Sequence, residues 1–135
     1  MNITIQTWLE MSKQVSMRRR LKDTIQNNLV PINQLSRESK KTVIRQAKIL
    51  VFQMGSYLFK KGDNDNYIFY LLEGKVVMEA TDRTTIAIYG GTKRAMNPIS
   101  GKTPREYSAR AASVVKVLKL ERRLIDTVLL SAKYH

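Results

Sequence analysis

Between Gly55 and Glu79 the sequence runs GSYLFKKGDNDNYIFYLLEGKVVME, and no other stretch restricts the fold as tightly. Two short apolar-rich runs, residues 57–59 and 67–72, flank Lys60-Lys61-Gly62-Asp63-Asn64-Asp65-Asn66, where turn-forming residues crowd together. Asn and Asp side chains hydrogen-bond their own backbone and Gly accepts conformations closed to other residues, so the segment predicts strand, turn, strand. After Glu73-Gly74 a third run, 75–80, resumes with β-branched and apolar residues. Glycines at 55, 62 and 74 therefore punctuate closely spaced strands, and a core that is mainly β follows.

The flanks read differently. From Asn2 to about Val30 the pattern is helical, with Ile5, Trp8 and Leu9 on one stripe and Met17, Leu21 and Ile25 on another. The two stripes do not join, which predicts a break within residues 13–16, and Pro31 closes the region. Ser36 is placed to cap a helix running to about Gln46, with Glu38 opposing its dipole and Leu35, Val43 and Ile44 facing the sheet. Residues 49–52 read as the first barrel strand, and 76–80 pairs with 85–89 as a hairpin across Thr81-Asp82-Arg83-Thr84. Residues 92–107 are irregular, 108–112 and 114–120 are strand-like, and Leu124, Ile125, Val128 and Leu129 describe a closing amphipathic helix.

Composition removes several kinds of chemistry. In 135 residues there is no cysteine and a single histidine, His135, so thiolate and imidazole metal sites and histidine-based nucleophilic catalysis have no material. No paired acid and base is legible either, and an enzyme is not expected. Nothing approaches the roughly 20 apolar residues of a membrane span, and the expected location is cytoplasmic. Lys and Arg number 24 against 11 Asp and Glu, a net charge of +13 that directs attention to an anionic partner. Arg18, Arg19, Arg20 and Lys22 form a basic cluster that suits nucleic-acid phosphates or an acidic membrane surface. The same cluster also fits the solvated back of an amphipathic helix, since adjacent positions point in every direction around the axis. The aromatic residues Tyr57, Phe59, Tyr67, Phe69 and Tyr70 offer faces for base stacking, but their alternation within strands favours core packing.

The order Gly55, Gly62-Asp63, then an aromatic and aliphatic strand closing on Glu73-Gly74-Lys75-Val76 resembles the cyclic-nucleotide-binding domain of the catabolite activator protein and of the regulatory subunit of cAMP-dependent protein kinase. The resemblance implies a mainly β fold with flanking helices, a double-stranded β-helix (jelly-roll) barrel of about eight strands. It covers 29–130 and implies an N-terminal helical extension, 1–28, ahead of a domain at 29–135 that includes the closing C-terminal helix.

In that family a Gly-Glu pair opens a short helix, and a Pro-Arg-Ala-Ala-Thr-like run follows. Amides at the helix start meet the phosphate, the arginine neutralises it, and the glutamate accepts the ribose hydroxyl. Setting Pro104-Arg105 on the family's Pro-Arg places Leu120-Glu121-Arg122 on its last strand without a gap and Ala95-Met96 on Gly-Glu. Counting forward from Gly91 reaches the same pair. The resemblance thus makes Arg105 the phosphate ligand, with Ala95, Met96, Asn97 and Ser108 as further ligand-binding positions. The match departs from the pattern at Met96, which accepts no ribose hydrogen bond, at a cost of about 1–3 kcal/mol for a buried hydroxyl. It departs also at Pro98, inside the cassette turn, and at Glu106, whose charge repels an anion. A second register sets Arg110-Ala111-Ala112-Ser113-Val114 on Arg-Ala-Ala-Thr-Val and makes Arg110 the ligand, given an insertion and a compensating deletion. In a third reading both are surface arginines.

What the resemblance implies is a non-catalytic regulatory or sensory module of signal transduction. It binds a cyclic nucleotide of the cAMP class weakly, or has lost it in favour of protein–protein interaction, with a protein partner or a second copy engaged through the flanking helices. No metal or other cofactor is called for. The alternative is a basic nucleic-acid-binding protein that uses Arg18–Lys22 and the 92–105 loop.

Overall fold

The structure is a computed structural model that describes residues 2–4 and 20–133. Helical residues 20–23 run into a π-wound stretch, Thr24–Asn28, followed by a 3-10 turn, Ile32–Gln34, and helix α1, Arg37–Gln46. Ser36 caps α1 as its sequence predicts, its hydroxyl oxygen accepting from the Ser39 amide at 3.2 Å. A second helix, α2 (Arg122–Lys133), closes the chain.

Among the described residues eight strands lie between and before these helices: β1 (Asn2–Thr4), β2 (Lys48–Phe52), β3 (Tyr57–Phe59), β4 (Tyr67–Glu73), β5 (Lys75–Glu79), β6 (Thr85–Tyr89), β7 (Ser108–Ala111) and β8 (Val115–Glu121). They form two antiparallel sheets in the orders β1-β2-β8-β4 and β3-β7-β5-β6, the crossed connections of a jelly roll. The strands on either side of Lys60–Asn66 do not pair with each other; β3 bonds to β7 and β4 to β8, so that turn carries the chain from one sheet to the other. By contrast β5 and β6 form the expected hairpin, from Lys75 opposite Tyr89 to Glu79 opposite Thr85.

The helical pattern expected from Asn2 onward is corrected at its start. Residues Asn2–Thr4 pair with β2, Asn2 opposite Leu50, because β-branched Ile3 and Thr4 suit a strand and the free edge of β2 offers unpaired backbone groups. The stripe Ile5, Trp8, Leu9 and Met17, the expected break at 13–16, and Arg18 and Arg19 lie outside the described residues. Leu21 and Ile25 are on the described helical segment and pack inward, Ile25 completely.

Alternation along the strands divides the core in two. Phe69 and Leu71 of β4 and Val115 and Val117 of β8 face Phe59, Val76, Met78, Ile88, Ala109 and Ala111 of the other sheet. Ile68 and Tyr70 of β4 and Leu118 and Leu120 of β8 point the opposite way, onto Ile25, Leu29, Val43, Ile44, Ile125 and Val128 from the helical elements. Residues on both sides of position 28 thus share one core. Gly74 joins β4 to β5 at φ 98°, and a Cβ there would lie 2.6 Å from the Val114 carbonyl oxygen, so only glycine fits. No helix among the described residues is long and apolar enough to cross a membrane.

Candidate functional site

The segment between β6 and β7 turns back over the mouth of the space between the sheets. Its 3-10 turn, Arg94–Met96, puts Ala95 into the inter-sheet core and Met96 against the helical core. The amides of Ala95, Met96 and Asn97 donate to the carbonyls of Thr92, Lys93 and Arg94, so these N–H groups are already engaged within the turn. Asn97 is exposed. The Ile99 amide donates to the Phe69 carbonyl at 2.8 Å and attaches the segment to the edge of β4.

Arg105 is the most enclosed charged side chain among the described residues, 1% exposed. Its backbone is fixed by the turn opposite, Arg105 N–H donating to Asp63 O and Gly62 N–H to Arg105 O, each at 2.8 Å. This turns the side chain inward. Nε donates to Asp65 Oδ2 at 3.0 Å, Nη2 to Asp65 Oδ1 at 2.5 Å and to the Tyr67 carbonyl at 2.6 Å, and Nη1 to the Ser100 carbonyl at 2.9 Å. The guanidinium carbon also lies 4.1 Å from the Phe59 ring centre. Four bonds from five available N–H donors, two of them to one carboxylate, leave little capacity for a phosphate. Burial pushes the Asp65 carboxyl upward, but hydrogen bonds from Arg105 and the Tyr67 amide, with the Arg105 charge, outweigh it and hold Asp65 below the ordinary carboxylate range.

Two more arginines bind the same segment. Arg94 donates to the carbonyls of Pro98 (3.1 Å) and Ile99 (2.9 Å), and Arg122 to that of Gly101 (2.7 Å). Together with Arg105 they satisfy four consecutive carbonyls, Pro98 through Gly101.

Beside this segment lies a hollow of about 300 Å3 with apolar walls of Met78, Ile86, Ile88, Ile99 and Tyr107. Its rim carries Arg94, Lys102 and Glu106, the last two 3.9 Å apart in an exposed ion pair, while Arg105 is not part of the lining. Ser108 and Arg110 alternate with Ala109 and Ala111 on β7 and point to the opposite face of the sheet. There the Ser108 hydroxyl accepts from the Lys61 amide at 2.8 Å, and Arg110 Nε donates to Glu79 Oε1 at 3.1 Å. Arg20 and Lys22 are exposed on the helical segment, on the far side of the helical core from this hollow's walls.

The structure thus gathers Arg105 and Ala95 around the inter-sheet core, turns Met96 to the helices and leaves Ser108 and Arg110 outside. Asp65, the partner of Arg105, was hidden in what reads as a turn; its one sequence signal is an acidic residue two positions ahead of an inward-facing aromatic strand. Among the described residues no group of three or more His, Cys, Asp or Glu is arranged to hold a metal.

Comparison with known proteins agrees with this architecture. The family model for the cyclic nucleotide-binding domain matches residues 49–131. No curated protein sequence matches the chain. Among solved structures, the sensor domain of the transcriptional regulator DNR from Pseudomonas aeruginosa superposes with a TM-score of 0.68 at 15% identity, over 82% of this chain and 80% of that one. The regulatory domain of Toxoplasma gondii PKA with cAMP gives 0.67 at 13% identity over 87% of this chain and 46% of its own. A regulatory subunit of a cAMP-independent protein kinase A from Trypanosoma cruzi bound to guanosine gives 0.70 at 11% identity, over 87% and 42%. The chain spans less than half of either kinase structure.

Proposed function

The chain belongs to the cyclic nucleotide-binding domain family, and on that premise we propose that it is a non-catalytic regulatory module of cytoplasmic signal transduction that binds cyclic nucleotides weakly or not at all and acts through protein contacts. The observation that carries this reading is the enclosure of Arg105. A cyclic phosphate reaching that guanidinium must displace Asp65 and two backbone carbonyls, and these are charge-assisted bonds to an enclosed guanidinium. Met96 in place of a carboxylate and Glu106 on the rim act in the same direction, the first leaving a ribose hydroxyl without an acceptor and the second repelling an anion.

Output passes through the flanking helices. The Val30 amide donates to the Met96 carbonyl at 2.8 Å, and the Tyr70 hydroxyl donates to the Val30 carbonyl at 2.6 Å. Any displacement of the 94–96 turn therefore pulls on the helical segment at Val30. An occupant of the hollow, or a protein on the helices, shifts the arrangement only by as much as it prefers one position of this turn. The partner is another protein or a second copy of the chain.

Calorimetric titration of cAMP, cGMP, cyclic di-GMP and guanosine into the folded protein tests the reading. Guanosine is included because the Trypanosoma cruzi neighbour holds that uncharged nucleoside. The expected result is no cyclic nucleotide tighter than about 100 μM, some 5.5 kcal/mol of binding free energy. Micromolar binding of a cyclic nucleotide refutes it.

A further inference from the structure

The charges of the barrel and those of the helical face are disposed differently. Among the described residues the ion pairs are Asp65 with Arg105, Glu79 with Arg110, Glu73 with Lys116 and Glu106 with Lys102, all within the strands and their connections. Between residues 20 and 47 stand Arg20, Lys22, Arg37, Lys40, Lys41 and Arg45 against only Asp23 and Glu38, with no ion pair among them. Asp23 is occupied by the Asn27 amide, and Glu38 sits at the start of α1, opposing its dipole.

Arg37, Lys41 and Arg45 recur every four residues and are all exposed, so they form one stripe along α1. Two adjoining hollows run beside it. One, about 490 Å3, is lined by Lys22, Gln26, Glu38, Lys41, Thr42 and Arg45 among others, and the second, about 290 Å3, by Gln26, Asn27, Arg37, Lys40 and Lys41. Gln26 and Lys41 belong to both. Amide and hydroxyl groups thus stand between cations, the mixture that grips phosphate oxygens.

We propose that this face binds the phosphate backbone of a nucleic-acid duplex without reading its sequence. Spacing supports the assignment: the stripe advances about 6 Å per cation. Phosphates of a duplex strand rise about 3.4 Å each along the axis and, because the strand also winds around it, stand about 6–7 Å apart in space, so successive cations match successive phosphates. A membrane fits less well. Among the described residues the large apolar side chains that are exposed, Met54, Tyr57, Ile86, Tyr89, Val114 and Leu130, all lie on the barrel or α2, and none of them flanks the stripe to enter a bilayer. A single strand also fits less well, since no aromatic side chain among the described residues lines the face for base stacking.

The test measures fluorescence anisotropy of two unrelated duplexes, each about two helical turns long, with the full chain over a range of salt near 0.1 M. Two variants lose the same charge: Arg37→Gln/Lys41→Gln/Arg45→Gln on α1, and Lys60→Gln/Lys75→Gln/Arg123→Gln elsewhere. All six positions are solvent-accessible and outside ion pairs, and circular dichroism verifies that both variants fold. Each phosphate contact contributes about 0.9 to the slope of log affinity against log salt, so the α1 variant is expected to lose about 2.7 in slope. Its affinity at 0.1 M salt falls by at least about tenfold and up to about 500-fold, alike for both duplexes. The second variant stays within about threefold of the parent. Equal losses in the two variants, no duplex binding by the parent, or tighter binding to phosphatidylserine vesicles than to duplex each overturns the proposal.

Discussion

Replacing Arg105 by Met separates a structural role from a ligand-contacting one. Met keeps an apolar stem against Phe59 and removes the guanidinium, so the carbonyls of Ser100 and Tyr67 lose charged donors and Asp65 keeps only the Tyr67 amide, at 3.1 Å. Each carbonyl left unsatisfied costs about 1–3 kcal/mol. Asp65 is less affected, because its side chain is 22% exposed and water takes over part of the lost solvation. The sum is about 3–5 kcal/mol, the range for breaking a buried ion pair by removing one partner. For a chain of this length that lowers Tm by about 10–17 °C. Urea denaturation followed by circular dichroism reads the change as a lower midpoint at constant slope. Adding Asp65→Leu to Arg105→Met should restore at least about 1 kcal/mol relative to the sum of the single variants, because the carboxylate then no longer lacks its partner. A loss below about 1 kcal/mol in Arg105→Met refutes the reasoning, since it means that the guanidinium contributes nothing to the fold and is available to a ligand.

Other perturbations follow from the same contacts. The Asp65 carboxyl titrates below its unfolded value of about 3.9, so its contribution is complete above that pH and disappears as pH falls through the folded value. Below about pH 4 the urea midpoint of the parent should therefore drop more steeply than that of Asp65→Asn. Burial raises the Tyr70 hydroxyl above its ordinary value of about 10, which makes the folded state lose stability as pH rises beyond that value. Tyr70→Phe should flatten this alkaline limb, cost about 1–2 kcal/mol at neutral pH, and speed hydrogen exchange at the Val30 amide. Gly74→Ala meets both a positive φ and a contact of 2.6 Å, and a loss of more than about 2 kcal/mol in urea denaturation is expected.

Local signals in the sequence were enough for much of the fold. The turn residues around Gly55, Gly62 and Gly74, the Ser36 cap and the β5–β6 hairpin depend on neighbours a few positions away, and each stands where its sequence places it. Strand β1 was not legible, because three residues carry little periodicity and their pairing with β2 spans more than forty positions. The destination of Arg105 was hidden for a similar reason. Its partner Asp65 lies 40 residues earlier, in a stretch whose Asp and Asn content is explained by turn formation alone. The same holds for the basic stripe: Arg37, Lys41 and Arg45 are regularly spaced, but their proximity to Lys22 and Gln26 exists only after the helical segments pack together.

The binding of Pro98 through Gly101 by Arg94, Arg105 and Arg122 bears on how such a module responds to metabolite levels. A receptor that needs its small molecule to order the cassette has a melting temperature that climbs with the logarithm of that molecule's concentration. Here the protein supplies the counter-groups itself at an effective concentration fixed by the covalent chain. On the proposed reading, its thermal stability should then be insensitive to added cyclic nucleotide.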